Sequence, residues 1–275
     1  MPLVLVPTPL GNLGDLTTRA REALAACDSV IAEDTRHSEG LLRHLGIHKP
    51  LLSLPAFAEA ERVPGLVERL LRGETLALVT DAGTPAISDP GALLVRAAAA
   101  AGVPITPLPG PCAAVAAVSA SGFLEGRFHF AGFLPRAGQE RVEMLRELAP
   151  LRAQLVFYEA PNRLAETLQD LQTAFGNRPA LVARELTKLH EELARGVLSE
   201  LVTHFANEVR GEVVIVVSGA PDVAPVRDPA ALEAEVRARL LRGEKPKQIA
   251  EALALEHGKR EVYQLALRLK QEGEG

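Results

Sequence analysis

Thr80-Asp-Ala-Gly-Thr-Pro-Ala-Ile-Ser-Asp-Pro-Gly91 is the stretch that decides how this chain is read. The apolar run before it, Thr75–Val79, predicts a buried strand. The run after it, Ala92–Ala101, predicts a helix that stops at Gly102. The stretch is therefore a strand-to-helix loop, the position at which open α/β sheets hold ligands. Its chemistry suits that role: it carries two carboxylates (Asp81, Asp89), two hydroxyls (Thr84, Ser88), prolines that stiffen the path and glycines that let backbone approach a ligand. A second loop of the same character, Pro107-Leu-Pro-Gly-Pro-Cys-Ala-Ala114, arrives one strand later. Turn chemistry alone favours the same residues. Two such loops side by side predict a ligand cradle.

The pattern repeats upstream. Leu3–Val6 predicts a first strand, Pro7-Thr-Pro-Leu-Gly-Asn-Leu-Gly14 a loop, and Asp15 or Thr17 the cap of a helix through Ala26. The Gly11/Gly14 spacing is not the dinucleotide fingerprint. Ser29–Ala32 predicts a second strand, and Glu33-Asp-Thr-Arg-His-Ser38 a polar loop before a helix over Glu39–Leu45. Leu51–Leu54 reads as another strand, Glu59–Arg72 as an amphipathic helix, Val103–Leu108 as a strand and Ala113–Ala120 as a small-residue helix. Alternating units of this kind predict a largely parallel sheet covered on both faces.

The character changes near Gly122. Strands are expected at Phe128–Phe133, Gln154–Tyr158, Ala180–Ala183 and Glu212–Val217, with helices at Gln139–Leu148 and Ala165–Phe175. The expected organisation is one α/β domain over residues 1–121, a second over 122–221, and a helical tail over 227–275 after a linker at Pro221–Pro229. In the tail, Lys247–Ala254 and Lys259–Lys270 are helical patterns joined by a turn with Gly258. That arrangement is read equally as a helix-turn-helix or a plain packing module.

Composition narrows the function classes. The chain has 275 residues, 47% of them apolar, and a net charge of only −5, so bulk charge does not advertise nucleic-acid binding. Cys27 and Cys112 lack metal-ligand spacing and read as free thiols of a reducing compartment. Met1-Pro-Leu-Val-Leu-Val lacks a basic leader, so the expectation is a cytoplasmic protein with neither membrane nor metal. There is no Walker lysine and no Gly-x-Ser-x-Gly elbow. What remains is a cleft able to hold a compact ligand, or a cofactor that carries the hard chemistry itself.

Seven ordered blocks carry a resemblance: Pro7–Asp15, Ala32–His37, Asp81–Gly91, Pro107–Pro111, Gly132–Arg136, Phe157–Glu159 and Ala183–Glu192. Together they resemble the bacterial small-subunit rRNA ribose methyltransferase I family, a branch of the tetrapyrrole-methylase superfamily. The resemblance implies two α/β domains with S-adenosyl-L-methionine between them, a homodimer, and methylation of the ribose 2′-oxygen of a decoding-region cytidine in 16S rRNA. Carried over by position, it implies cofactor contacts at Leu10, Asp81, Thr84, Cys112, Ala113 and Tyr158, with backbone near Ala183 and Ser218. It places His37, Arg136, Asn162, Arg163 and Arg184 on the RNA side. It offers Glu33, Asp34 and Glu185 as candidate bases, with Arg36 and Lys188 for charge stabilisation.

Three departures stand out. Pro55-Ala-Phe-Ala58 replaces an expected polar loop, Cys112 an expected serine, and Asn162 an expected histidine. Two rival readings stay open at this point: a precorrin or uroporphyrinogen methyltransferase, and a non-catalytic RNA-binding assembly factor.

Overall fold

The computed structural model describes residues 2–207, 209–221, 229–253 and 259–273. Most of the expected linker, His257 and the Gly258 turn lie outside these residues. Two compact units form, Met1–Ala220 and Pro221–Gly275.

The first unit holds two five-stranded sheets. Strands β1 (Leu3–Leu5), β2 (Ser29–Ala32), β3 (Leu51–Ser53), β4 (Leu76–Leu78) and β5 (Ile105–Pro107) make the first, in the order β3-β2-β4-β1-β5. All its pairings are parallel, as the alternating pattern predicts. Successive side chains of a strand point to opposite faces. Hence Val4 and Val30 join Leu24 and Leu42 on one side, whereas Leu3 and Ile31 join Leu70 and Leu94 on the other. Helices α1 (Thr18–Ala26), α2 (Thr35–His44), α3 (Glu59–Leu71), α4 (Ala92–Ala100) and α5 (Ala113–Ser121) follow their strands. From β1 the chain winds to β2 and β3, and from β4 it crosses to β5 on the other side. Adjacent β1 and β4 therefore mark the switch point where a ligand crevice opens.

The second sheet is mixed. Its strands β6 (Phe128–Phe133), β7 (Gln154–Glu159), β8 (Pro179–Arg184), β9 (Glu192–Val197) and β10 (Val213–Val217) run in the order β6-β7-β10-β8-β9. Only β6 and β7 are parallel; β10 is antiparallel to both its neighbours. Helices α6 (Gln139–Leu148), α7 (Leu164–Phe175) and α8 (Leu198–His204) cover one face with Leu145, Leu168, Leu171 and Leu201 over Leu155, Phe157 and Ile215. Each such fully buried side chain is worth ~1.5–3 kcal/mol. The other face, with Val156, Leu181 and Val216, receives Ala114 and Ala117 of α5. The alanines of that helix permit this close approach, so the first half of the unit packs directly on the second sheet.

Two elements were not expected from sequence. Strand β9 is a charged, half-exposed edge without clear alternation, the usual disguise of an edge strand. Helix α8 is short and begins directly at its end.

The second unit contains α9 (Pro229–Leu241), α10 (Pro246–Ala252) and α11 (Lys259–Gly273). They share a small core of Leu232, Val236, Ile249, Val262, Ala266 and Leu269. Its arginines are largely spent on local carboxylates, such as Arg237 with Glu233 and Glu272.

Candidate active site

Three loops at the C-terminal ends of β1, β4 and β5 are tied together. Thr8 and Gly83 exchange backbone hydrogen bonds of 2.9 and 3.0 Å, and the Thr8 hydroxyl donates to the Thr80 carbonyl at 2.9 Å. The Thr84 hydroxyl donates to the Pro111 carbonyl at 2.9 Å, joining the two proline-rich loops. The far end of the Asp81–Gly91 loop is held by Glu59, a buried carboxylate of α3. It accepts the N–H groups of Gly91 and Leu93 at 2.9 Å, capping α4. Nothing in the sequence distinguished Glu59 from an ordinary first-turn acid. Such a cap joins charge to the helix dipole and satisfies otherwise orphaned donors.

These loops and the second sheet enclose a cavity of about 410 Å³. Asp81 and Cys112 both line it, so the two loops converge as the sequence predicts. Asp81 leaves one oxygen, Oδ1, buried with no hydrogen-bond partner. An acceptor so placed costs ~1–3 kcal/mol unless a ligand supplies a donor. Glu33 and Asp89 line the same wall. Burial raises the Glu33 pKa above the ordinary value, and the charges of Asp89, Asp81 and Asp34 add to the effect. Burial likewise raises Asp89, with Asp81 adding to the shift and a hydrogen bond from Thr80 opposing it. The wall thus favours cationic or hydrogen-bond-donating ligands.

The opposite wall comes from the second sheet. Tyr158 accepts the Ala114 N–H at 3.2 Å, and burial pushes its pKa up to about 12. Ala183, Leu186, Gly211, Glu212, Val213 and Val214 continue the lining, with Phe133 and Glu159–Pro161 at one side. The loop between β8 and β9 braces this wall. Glu185 and Thr187 take left-handed φ values of 52° and 66°. Lys188 Nζ pairs with Glu185 at 2.8 Å and Glu212 at 3.3 Å. Burial works against the Lys188 ammonium, but these carboxylates outweigh it and hold the pKa above the lysine value. The same loop reaches the loop after β1: Thr187 accepts the Asn12 N–H at 3.1 Å, and the Lys188 stem lies against Gly11.

The family model for Tetrapyrrole (Corrin/Porphyrin) Methylases matches residues 2–202. A Synechocystis protein named ribosomal RNA small subunit methyltransferase I is 42% identical over 276 residues, covering 98% of this chain and 99% of its own length. The chain belongs to this family. A Xylella fastidiosa member with the same name is 52% identical over 224 residues, covering 80% of this chain and 82% of its own. Among solved structures, a cobalt precorrin-4 methyltransferase superposes with a TM-score of 0.61 at 18% identity, covering 79% of this chain and 94% of its own. The uroporphyrin-III C-methyltransferase of Thermus thermophilus, solved with S-adenosyl homocysteine, has a TM-score of 0.56 at 20% identity, covering 79% of this chain and 97% of its own. These distant structures share the fold: two α/β halves of tetrapyrrole-methylase type.

Among the residues that the family resemblance assigns to the cofactor, Leu10, Asp81, Thr84, Cys112, Ala113, Tyr158 and Ala183 line the cavity. Ser218 does not. Its N–H bonds the Pro179 carbonyl at the start of β8, whereas Val213 and Val214 face the cavity at the other end of β10. The resemblance carried Ser218 over by position, at the end of the strand expected over Glu212–Val217. Antiparallel pairing puts its C-terminal end on the far side of the sheet.

Among the candidate catalytic and RNA-side residues, only Glu33 lines the cavity. The expected polar loop over residues 33–38 is instead the first turn of α2, with Asp34 as its N-cap. Asp34 also chelates Arg36 at 2.8 and 3.1 Å, and those hydrogen bonds lower its pKa to about 2. Glu185 is committed to Lys188 and to the Glu212 N–H, and its pKa is lowered by the Lys188 hydrogen bond. Arg163 is engaged by the Leu134 and Pro135 carbonyls and by Glu159, and Arg184 by Glu192 and the Arg210 carbonyl. Those two guanidiniums organise protein. His37, Arg136 and Asn162 are exposed outside the cavity lining. Phe133 and Ile87 were missed; an apolar residue beside a strand end gives no polar signal to find it by. Glu212 was missed because it lies at the start of its strand, the end that enters the cavity only through antiparallel pairing.

No group of three or more His, Cys, Asp or Glu side chains among the described residues is placed to hold a metal. No helix among them is long and apolar enough to cross a membrane.

Proposed function

We propose that this chain transfers a methyl group from S-adenosyl-L-methionine to the ribose 2′-oxygen of a decoding-region cytidine in 16S rRNA. The observation that carries this reading is the partnerless buried oxygen of Asp81 inside a cavity shared by both sheets, in a chain whose relatives are named for small-subunit rRNA methylation. The donor supplies a methyl carbon already activated by a sulfonium. Asp81 accepts from its amine or ribose hydroxyls. Thr84, Cys112 and Ala113 shape one wall, and Leu10, Tyr158 and Ala183 shape the rest. We assign residues 1–121 and 122–221 as the two cooperating domains and 227–275 as a helical tail. The working form is a cytoplasmic homodimer.

The protein's task is alignment of oxygen, carbon and sulfur, where well-oriented reactants gain the most. As the new O–C bond forms, the C–S electron pair stays with sulfur and the hydroxyl proton must leave. Glu33 is the base in this reading. It stands on the cavity wall without a hydrogen-bond or ion-pair partner among the described residues, whereas Asp34 and Glu185 are each tied to a cation. Lys188, behind the wall, offsets charge at Glu185 and Glu212, and Arg136 and His37 are the exposed groups available to phosphate.

The test supplies methyl-labelled S-adenosylmethionine with isolated small subunits, naked 16S rRNA or uroporphyrinogen. Label recovered as 2′-O-methylcytidine from either form of the RNA is the expected result. Label on the tetrapyrrole, on a base, or on nothing despite donor binding contradicts the reading.

A further inference from the structure

We propose that Phe133 and Ile87 form the subsite that holds the nucleobase of the acceptor nucleotide, an assignment that rests on the methyl-transfer reading above. Residues three apart on a regular strand face opposite ways. Yet the rings of Phe130 and Phe133 both meet Tyr158 edge-on, with centroids 4.9 and 5.7 Å away. The cause is a bulge: the register of β6 on β7 shifts between Phe130 and Gly132, and Gly132 takes a φ of 68°. Bulges beside active sites re-aim side chains in this way. This one brings Phe133 to the cavity and leaves the residue 53% exposed.

Ile87 is presented by a second piece of irregular backbone. Its neighbours Ala86 and Ser88 both hold a φ of 63°, and non-glycine residues in that region cost ~1–3 kcal/mol each. Ile87 also lines the cavity and remains 42% exposed. The two pieces adjoin, since a Cβ built on Gly132 would lie 3.5 Å from the Ser88 hydroxyl oxygen. Two separate distortions therefore keep apolar side chains out of the core and at one cavity edge.

A flat apolar ligand explains both distortions. In the methyl-transfer reading the donor's hydrogen-bonding groups are met by Asp81, whose Oδ1 is buried and unpartnered, and by the backbone around Ala183. The acceptor must enter from the open side, with its base one glycosidic bond from the reacting ribose. Every base offers a π face, and stacking on an aromatic ring is worth ~1–3 kcal/mol per base. Tyr158, fixed by the Ala114 N–H, holds the Phe133 ring in place for that contact.

The chain contains no tryptophan, so Phe133→Trp is a unique fluorescent reporter that preserves the stacking face. The full-length variant is titrated with S-adenosyl homocysteine alone, then with a single-stranded oligoribonucleotide centred on cytidine, and with the same oligonucleotide abasic at that position. Saturable quenching by the cytidine oligonucleotide, and not by the abasic one or the cofactor product, is the expected result. In parallel, Phe133→Ala raises KM for small subunits about fivefold or more, as loss of one stacked base requires. Phe133→Trp, which keeps a stacking face, recovers most of that loss, and the affinity for S-adenosyl homocysteine does not follow the KM in either variant. Quenching by S-adenosyl homocysteine alone would assign the ring to the cofactor and overturn the proposal. Equal quenching by the abasic oligonucleotide, or an unchanged KM for Phe133→Ala, would do the same. Selective quenching without methyl transfer by wild type to any form of 16S rRNA leaves the subsite standing and refutes the function instead.

Discussion

The two sheets of the first unit supply the same cavity, the parallel one by C-terminal strand ends throughout and the mixed one by both kinds of end. In the all-parallel sheet, the contributing residues follow the C-terminal ends of β1, β2, β4 and β5: Leu10, Glu33, Asp81 and Cys112. In the mixed sheet, β7 and β8 still contribute C-terminal ends, but β10 contributes its beginning, Gly211–Val214. A strand's direction, and not its sequence, decides which of its ends meets the ligand. The parallel half also concentrates unpaired acid, whereas the mixed half pairs nearly every charge it brings near the cavity.

The sharpest way to break this division is Glu33→Gln. Single-turnover methyl transfer falls ~100-fold or more, the contribution of a positioned base, while donor affinity holds. In wild type, a base acts only when deprotonated, so the rate drops as pH falls through the raised Glu33 pKa, and the variant loses that limb. The sign for stability is the reverse. A carboxyl with a raised folded pKa favours the folded state at low pH and loses that contribution as pH rises through it. Glu33→Gln therefore melts at a higher temperature than wild type at neutral pH.

The ends of β10 give the next contrast. Gly211 has a φ of 93°, and an added Cβ meets the Glu185 side chain. Gly211→Ala costs ~1–3 kcal/mol of strain, lowers the melting temperature and weakens donor binding in calorimetry. Ser218→Ala, at the far end, leaves donor binding unchanged; equal effects at both ends would erase the contrast. Thr84→Val removes the Pro111 tie within the parallel half and costs about 1 kcal/mol in denaturant unfolding. Smallest is Asp34→Asn, which keeps the α2 cap and leaves turnover unchanged. Asp34 is held at about 2, so whatever its ion pair adds is present above the ordinary carboxyl value and fades as pH falls toward 2. An Asp34→Asn rate loss as large as that of Glu33→Gln would move the base onto α2.

Legibility in the sequence divided along the same line. Where strands alternate with helices, the parallel sheet, the Asp81–Gly91 loop and its partner at Cys112 followed from hydrophobic runs and turn residues. Ser218 lies outside the cavity because β10 meets it by its other end, a direction that no single strand's sequence states. The protein partners of Arg163 and Arg184 were not legible, because a guanidinium near a strand end looks the same whether it awaits phosphate or binds carbonyls inside the fold. The Glu33–Ser38 segment misled by polarity: Asp34 starts a helix one turn earlier than the apolar residues do. Strand β9 was hidden by its charges, and Phe133 by a bulge that depends on its pairing with β7.

The most direct test of the account is a crystal structure with S-adenosyl homocysteine. The account predicts the ligand in the cavity, with a donor of its own on Asp81 Oδ1, Gly211–Val214 against it and Ser218 remote. A ligand bound elsewhere, or bound there with Asp81 Oδ1 still unpartnered and contacts at the Ser218 end of β10, would contradict it.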